Sequence, residues 1–196
     1  MGYLESISLH RIAPREVSGN ETIAELIDHA FSAYNAGRLR ELCSVFARKF
    51  LEPDCTVGLT LSGALTPAGL GMSCLVPLIR CGFVDWIVST GANLYHDTHF
   101  ALDLPLHQSR PNLDDLALRD NDVIRIYDIV FDYKTLLDTD SFYRELIRDG
   151  VFAKPMGTAE FHHQVGRYLH GRDQKLGRPS QSLLAAATTV DHKPSL

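Results

Sequence analysis

Apolar and polar positions change period three times along this chain. Ile23, Leu26, Ile27, Ala30, Phe31 and Tyr34 recur at helical spacing behind Thr22-Ile-Ala-Glu25, which reads as a capping box, and Gly37 closes the pattern. A second helix is expected over about residues 39–50, so the start of the chain predicts a helical hairpin, lying on one face of a sheet or on a subunit partner. Residues 56–61 and 83–89 are then short, β-branched or aromatic runs bounded by Gly or Cys-Gly, and each predicts a strand, with Trp86 placed in the core. The apolar stretch 70–81 between them has the length of a helix. A crossover of that size places two parallel strands side by side in a right-handed βαβ unit. Beyond it, residues 104–119 predict a loop and 123–133 a short strand pair or an arm. Residues 140–148 and 158–169 predict helices, and 171–179 a polar boundary.

The two βα junctions carry the candidate chemistry. In an open parallel sheet ligands dock outside the carboxyl ends of the strands, where Ser62-Gly63-Ala64 and Thr90-Gly91-Ala92-Asn93 fall. Small side chains let a phosphate approach the backbone, and helix N-termini offer free N–H donors. Gly58, Gly63, Gly69 and Gly71 do not have the G-x-G-x-x-G spacing, and no P-loop is present. On spacing alone, a nucleotide cradle and a pair of tight packing turns stand level.

As text, LSGALTPAGLGMSCLVPLI and VDWIVSTGANLYHDTH resemble the deoxyhypusine synthase family, especially its bacterial members. The resemblance extends through NDVIRIYDIVFDY and GRPSQSLLAAA and covers most of residues 3–187. It implies an α/β fold with a Rossmann-like parallel sheet flanked by helices in three layers, NAD as cofactor, and homo-oligomers built as tetramers of tight dimers. It also implies a redox-masked transfer. NAD takes hydride from a carbon beside an amine of spermidine, a lysine holds the aminobutyl group as a Schiff base, and an acceptor amine on a protein lysine or a small polyamine receives it. Carried over by position, Ser62 and Gly63 match a Ser-Asn pair that contacts NAD, with Gly in the second place. Thr90, Gly91 and Ala92 match a Thr-Ala-Gly run lining the same cofactor. Tyr95 and His96 stand where eukaryotic members have two glutamates, and Asp97 at a shared aspartate, so His96 and Asp97 are expected near the ribose or at a subunit boundary. The family's Schiff-base lysine has no match, since neither Lys175 nor Lys193 sits in its motif. No catalytic residue is therefore assigned. The chain reads as the amino-terminal half of such an enzyme, either a truncated product or one piece of a split protein that pairs with a C-terminal partner half, with a domain over 1–187, an atypical tail over 188–196 and no activity alone. The rival class is a non-catalytic nucleotide-binding or partner-subunit fragment.

Composition narrows this only modestly. With 45% hydrophobic and 22% charged residues the chain is an ordinary globular one. A formal net charge of −5 argues against a nucleic-acid binder and suits a cationic polyamine. Cys43, Cys55, Cys74 and Cys81 form no C-x-x-C pair, and MGYLESISLHRIAPRE has no signal-peptide pattern, which points to the cytoplasm; the myristoylation-like Met1-Gly2 carries little weight. No apolar run reaches the roughly 20 residues of a membrane span.

The sharpest rival chemistry is a metal-dependent hydrolase built on His96 and His99, completed by His107 or His162-His163. The glutamate of H-E-x-x-H is missing, so the histidines are read as pocket or interface residues and no metal is assigned. Ser62 and Ser89 lie outside any G-x-S-x-G, which removes a serine hydrolase. Asp114-Asp115 and the run from Arg119 to Asp122 read as solvated loop.

Overall fold

The computed structural model describes residues 11–189. Met1-Gly2, Lys193 and the tail from residue 190 onward lie outside them. The chain divides into two compact units between Cys55 and Thr56.

In unit one, the expected capping box is present at the start of α1 (Ile23–Ala30): Glu25 N–H donates to Thr22 Oγ1 at 3.3 Å and Thr22 N–H to Glu25 Oε2 at 2.8 Å. The helix stops at Ala30, earlier than the periodicity suggests. After a short reversal α2 (Tyr34–Val45) begins and runs on as a π turn, Phe46–Phe50. Gly37 thus sits inside α2 and does not end a helix. A Cβ there would lie 3.4 Å from the Ser32 backbone, so glycine serves the close approach of the reversal to α2.

Unit two is mixed α/β. β1 (Gly58–Leu61) runs parallel to β2 (Trp86–Ser89), in register from Gly58 opposite Trp86 to Leu61 opposite Ser89. Both strands start later than the apolar runs, because Val57 and Asp85 are tied to each other first: Val57 N–H donates to the Asp85 carboxylate at 2.6 Å and Asp85 N–H to the Val57 carbonyl at 2.9 Å. The crossover contains a 3-10 turn, Thr66–Ala68, a π turn, Gly71–Leu75, and the short α3 (Val76–Arg80). The expected single helix is broken in this way because Pro77 has no N–H for the fourth carbonyl back and its ring crowds that turn. Leu59, Leu61 and Ile87 pack with Val76, Ile79 and Leu183. Trp86 and Val88 lie on the opposite face of the pleat, 50% and 58% exposed, so the tryptophan expected in the core is a surface residue. Its indole covers Gly58, where a Cβ would come within 2.0 Å of the ring.

The strand pair expected over 123–133 is present as β4 (Val123–Ile126) and β5 (Ile129–Asp132), antiparallel across a turn with Tyr127 at φ +56°. The expected loop before it holds two elements. β3 (His107–Gln108) pairs with β5, and α5 (Asp115–Asp120) is capped by Asp114, whose carboxylate accepts from Leu116 N–H at 2.9 Å. Asp115 takes a two-pronged bond from Arg125, at 2.7 and 2.8 Å. The Asp114-Asp115 pair is therefore structured and not bare loop.

Three helices complete the unit. α6 (Tyr133–Arg148) starts well before residue 140 because Asp132 caps it. α7 (Thr158–Lys175) extends past residue 169, and α8 (Leu183–Ala187) follows. The stretch read as a polar boundary is built into the fold. Asp173 is buried, accepts from Arg178 Nε at 2.7 Å and from Gln181 N–H at 3.1 Å, while Arg178 also donates to the Ala101 carbonyl at 2.9 Å. α8 lies between two apolar clusters. Leu184 and Ala185 pack with Phe142, Leu146, Val165 and Leu169, and Leu183 and Ala186 face the sheet side. Among the described residues no helix is long and apolar enough to cross a membrane.

Candidate functional site

The parallel pairing of β1 and β2 brings the two small-residue loops together. Thr90 N–H donates to the Leu61 carbonyl at 3.2 Å, and Thr90 Oγ1 donates to the Gly63 carbonyl at 2.7 Å. Gly63 adopts φ +67°, a conformation natural to glycine. Thr90 is the N-cap of α4 (Gly91–Ala101), its hydroxyl accepting from Asn93 N–H at 3.4 Å and from Asn93 Nδ2 at 3.2 Å. Asn93, fully buried, closes the junction: its Oδ1 accepts from Leu65 N–H at 2.8 Å, and its carbonyl accepts from Thr66 Oγ1 at 2.7 Å. Sequence reading placed Asn93 in the loop without a role. The residue that ties the loops together is recognisable only once β1 and β2 are known to be neighbours.

Ser62, Gly63, Thr90, Gly91 and Ala92 are all exposed, and a Cβ on Gly63 or Gly91 would meet nothing within 4 Å. Among the described residues the N–H groups of Gly91 and Ala92 have no protein acceptor. The junction is exposed backbone with donors free at the start of an eleven-residue helix.

Further along α4 the side chains turn inward. Asp97 is 1% exposed. Its Oδ1 accepts from Leu183 N–H at 2.9 Å and its Oδ2 from Leu184 N–H at 3.2 Å, so it caps α8 from another helix. Burial raises its pKa to about 7, against the opposing pull of the Leu183 and Leu184 N–H groups and the Ser182 hydroxyl. His99, also fully buried, meets Thr139 Oγ1 through Nδ1 at 2.8 Å and His96 Nδ1 through Nε2 at 3.0 Å. Burial, and secondarily the His96 charge, brings its pKa down to about 4; burial also lowers that of the half-buried His96. Tyr95 donates to the Asp140 carboxylate at 2.8 Å, which together with burial raises its pKa.

The geometry speaks against the metal reading. His96 and His99 spend facing nitrogens on each other, His107 and His163 are exposed elsewhere, and among the described residues no group of three or more His, Cys, Asp or Glu is placed to hold a metal. A cavity of about 600 Å³ lies beside β2, lined by Trp86, Val88, Leu94, His162 and Leu184 among others. Nothing in the sequence pattern had singled it out.

Comparison with known proteins supplies what geometry alone does not. The family model described as deoxyhypusine synthase matches residues 25–191. A deoxyhypusine synthase-like protein of Cyanothece sp. is 54% identical over 91% of this chain and 44% of its own length. Another from Thermosynechococcus vestitus is 51% identical over 90% of the chain and 44% of its own. A probable deoxyhypusine synthase 1 of Methanosarcina mazei is 36% identical over 76% of the chain and 47% of its own. The chain thus spans a little under half the length of these relatives.

Proposed function

The chain belongs to the deoxyhypusine synthase family, and from that premise we propose that unit two carries the NAD-contacting part of an aminobutyl transferase that draws on spermidine. The observation that supports this best is the junction of the two loops at the carboxyl ends of β1 and β2, tied by Thr90 and Asn93 and open above Gly63 and Gly91. The residues present fit a dinucleotide. No Cβ blocks the approach to either glycine, and the first N–H groups of α4 are free for phosphate oxygens.

In this reading Ser62 and the backbone of Gly63, Gly91 and Ala92 bind the dinucleotide. Thr90, whose hydroxyl is engaged with Gly63 and Asn93, sets the spacing between the loops. His96 borders the site one and a half turns down α4, and Asp97 serves it from within by anchoring α4 to α8. NAD, when bound, would supply reversible oxidation of the amine-bearing carbon of the polyamine. The protein contributes orientation, and the net charge of −5 favours a cationic substrate.

The finer expectations belong to the same proposal. Residues up to 187 are the amino-terminal part of a three-layer Rossmann-like domain, assembling as dimers and tetramers in the cytoplasm. The acceptor is a protein lysine or a small polyamine. Because no lysine here stands in the family's Schiff-base motif, transfer requires a polypeptide that supplies it, and these 196 residues bind cofactor without turnover. The test is thermal unfolding of the purified chain across an NAD titration. Saturable stabilisation is expected, about 2.7 kcal/mol at 100 times Kd, and a folded chain whose melting temperature ignores NAD would refute the cofactor reading.

A further inference from the structure

The parallel sheet of unit two stops at two strands. β2 is hydrogen-bonded to β1, and its other edge carries no strand among the described residues. Parallel strands are stable where both faces are covered and further strands flank them, and a lone pair is marginal in water. The cavity of about 600 Å³ runs along this open edge, since it is lined from both sides of the pleat, by Ile87 on the packed face and by Trp86 and Val88 on the other. Ala159 of α7 and Leu184 and Ala187 of α8 line it as well. Ala187 is exposed at the end of a helix whose other four residues are buried.

α8 fixes the direction in which the sheet can grow. Its Leu183 and Ala186 share a cluster with Val76 and Ile79 of α3 and with Leu59, Leu61 and Ile87 of the strands, so α3 and α8 lie on one face of the sheet. The connection from β1 through α3 to β2, and one from β2 through α8 to a following parallel strand, both take the right hand. The following strand then steps past β2 and not back to β1, which puts it in the cavity, where Ala187 and Thr188 end α8. The relatives have polypeptide to spare for it, since the match covers 44% of the Cyanothece and Thermosynechococcus proteins.

We propose that the open edge of β2 is the docking seat of the polypeptide that supplies the missing half, which adds an extended apolar segment there as a third parallel strand. The inference rests on the requirement for a second polypeptide stated above and adds where and how it binds. Main-chain hydrogen bonds to β2 give affinity. Because both faces of the added strand are covered, its sequence is expected to be a continuous run of β-branched and aliphatic residues.

Trp86 is the single tryptophan of the chain, so labelling with 5-fluorotryptophan gives one fluorine resonance, at the seat itself. The labelled chain is titrated with the part of the Cyanothece relative that lies outside the match, made as a separate unlabelled polypeptide. The resonance should shift saturably and lose its broadening by a dissolved gadolinium chelate. Val88→Lys and Ala187→Lys, at exposed positions on the two sides of the seat, should each weaken binding roughly tenfold or more, because an ammonium is set against apolar groups. Both should leave the melting temperature of the free chain within about 1 °C. Leu116→Lys, exposed on α5, should bind like wild type. A resonance that the added half does not move, or undiminished affinity in both seat variants, overturns the inference. So does a free chain whose Trp86 is already shielded, by a second copy or by residues 190–196. Aminobutyl transfer by the mixed halves is read separately. Binding without transfer keeps the seat and removes the activity, whereas transfer that Val88→Lys and Ala187→Lys leave intact removes the seat and keeps the activity.

Discussion

Asp97→Asn makes the buried end of α4 measurable. Folding takes the Asp97 carboxyl from an ordinary value of 3.8 to about 7, with burial outweighing the three donors around it. A folded pKa above the unfolded one means that the native state holds its proton more tightly. The contribution is then full below about pH 4 and is lost as pH rises through 7. Three units at 1.36 kcal/mol each amount to about 4 kcal/mol, undiminished by solvent because the group is 1% exposed. Asparagine removes the titration and keeps one acceptor, while its amide faces an N–H of α8, a pH-independent cost of about 1–3 kcal/mol. Thermal unfolding of both proteins from pH 4 to 8 should therefore show wild type losing about 8–16 °C relative to the variant across that range, at about 2–4 °C per kcal/mol for a chain of this size. A difference that stays flat would mean that the Leu183 and Leu184 N–H groups overcome burial and that the carboxylate is ionised throughout.

His99→Gln should have the opposite signature. His99 has a folded pKa of about 4 against 6.5, so its contribution is present above 6.5 and lost as pH falls toward 4; the variant relative to wild type should gain at acid pH, in the same unfolding experiment. Gly166→Ala sets helix propensity, worth about 1 kcal/mol in favour of Ala, against a Cβ placed 2.1 Å from the Leu184 carbonyl oxygen. The backbone clash should win by about 1–3 kcal/mol, and a rise in urea midpoint would show that α7 and α8 are not so close. Gly58→Ala puts a Cβ 2.0 Å from the Trp86 ring, so the emission of the single tryptophan should change; an unaltered spectrum would remove the indole from Gly58. Gly91→Phe fills the open space at the start of α4 and should abolish stabilisation by NAD while leaving the unliganded melting temperature within about 1 °C, as an exposed position allows.

What the sequence determined by itself was local. The capping box at Thr22, the two apolar runs with a helix-length crossover, the small residues at both βα junctions and the family resemblance were legible because each depends on neighbours a few positions apart or on a long run of text. Periodicity misjudged Trp86, since a two-residue alternation says that one face differs from the other but not which face is covered. It also misjudged the helix over 70–81, where one proline changed the hydrogen-bond register. The partners of the inward face of α4 were beyond it altogether. Asp97 finds Leu183 across 86 residues, Asn93 finds Leu65 across 28 and His99 finds Thr139 across 40. No spacing encodes such pairs. Only the packing of α8 between two apolar clusters, and of α6 beside α4, takes these polar groups out of water and obliges each to find its donor or acceptor in a distant segment.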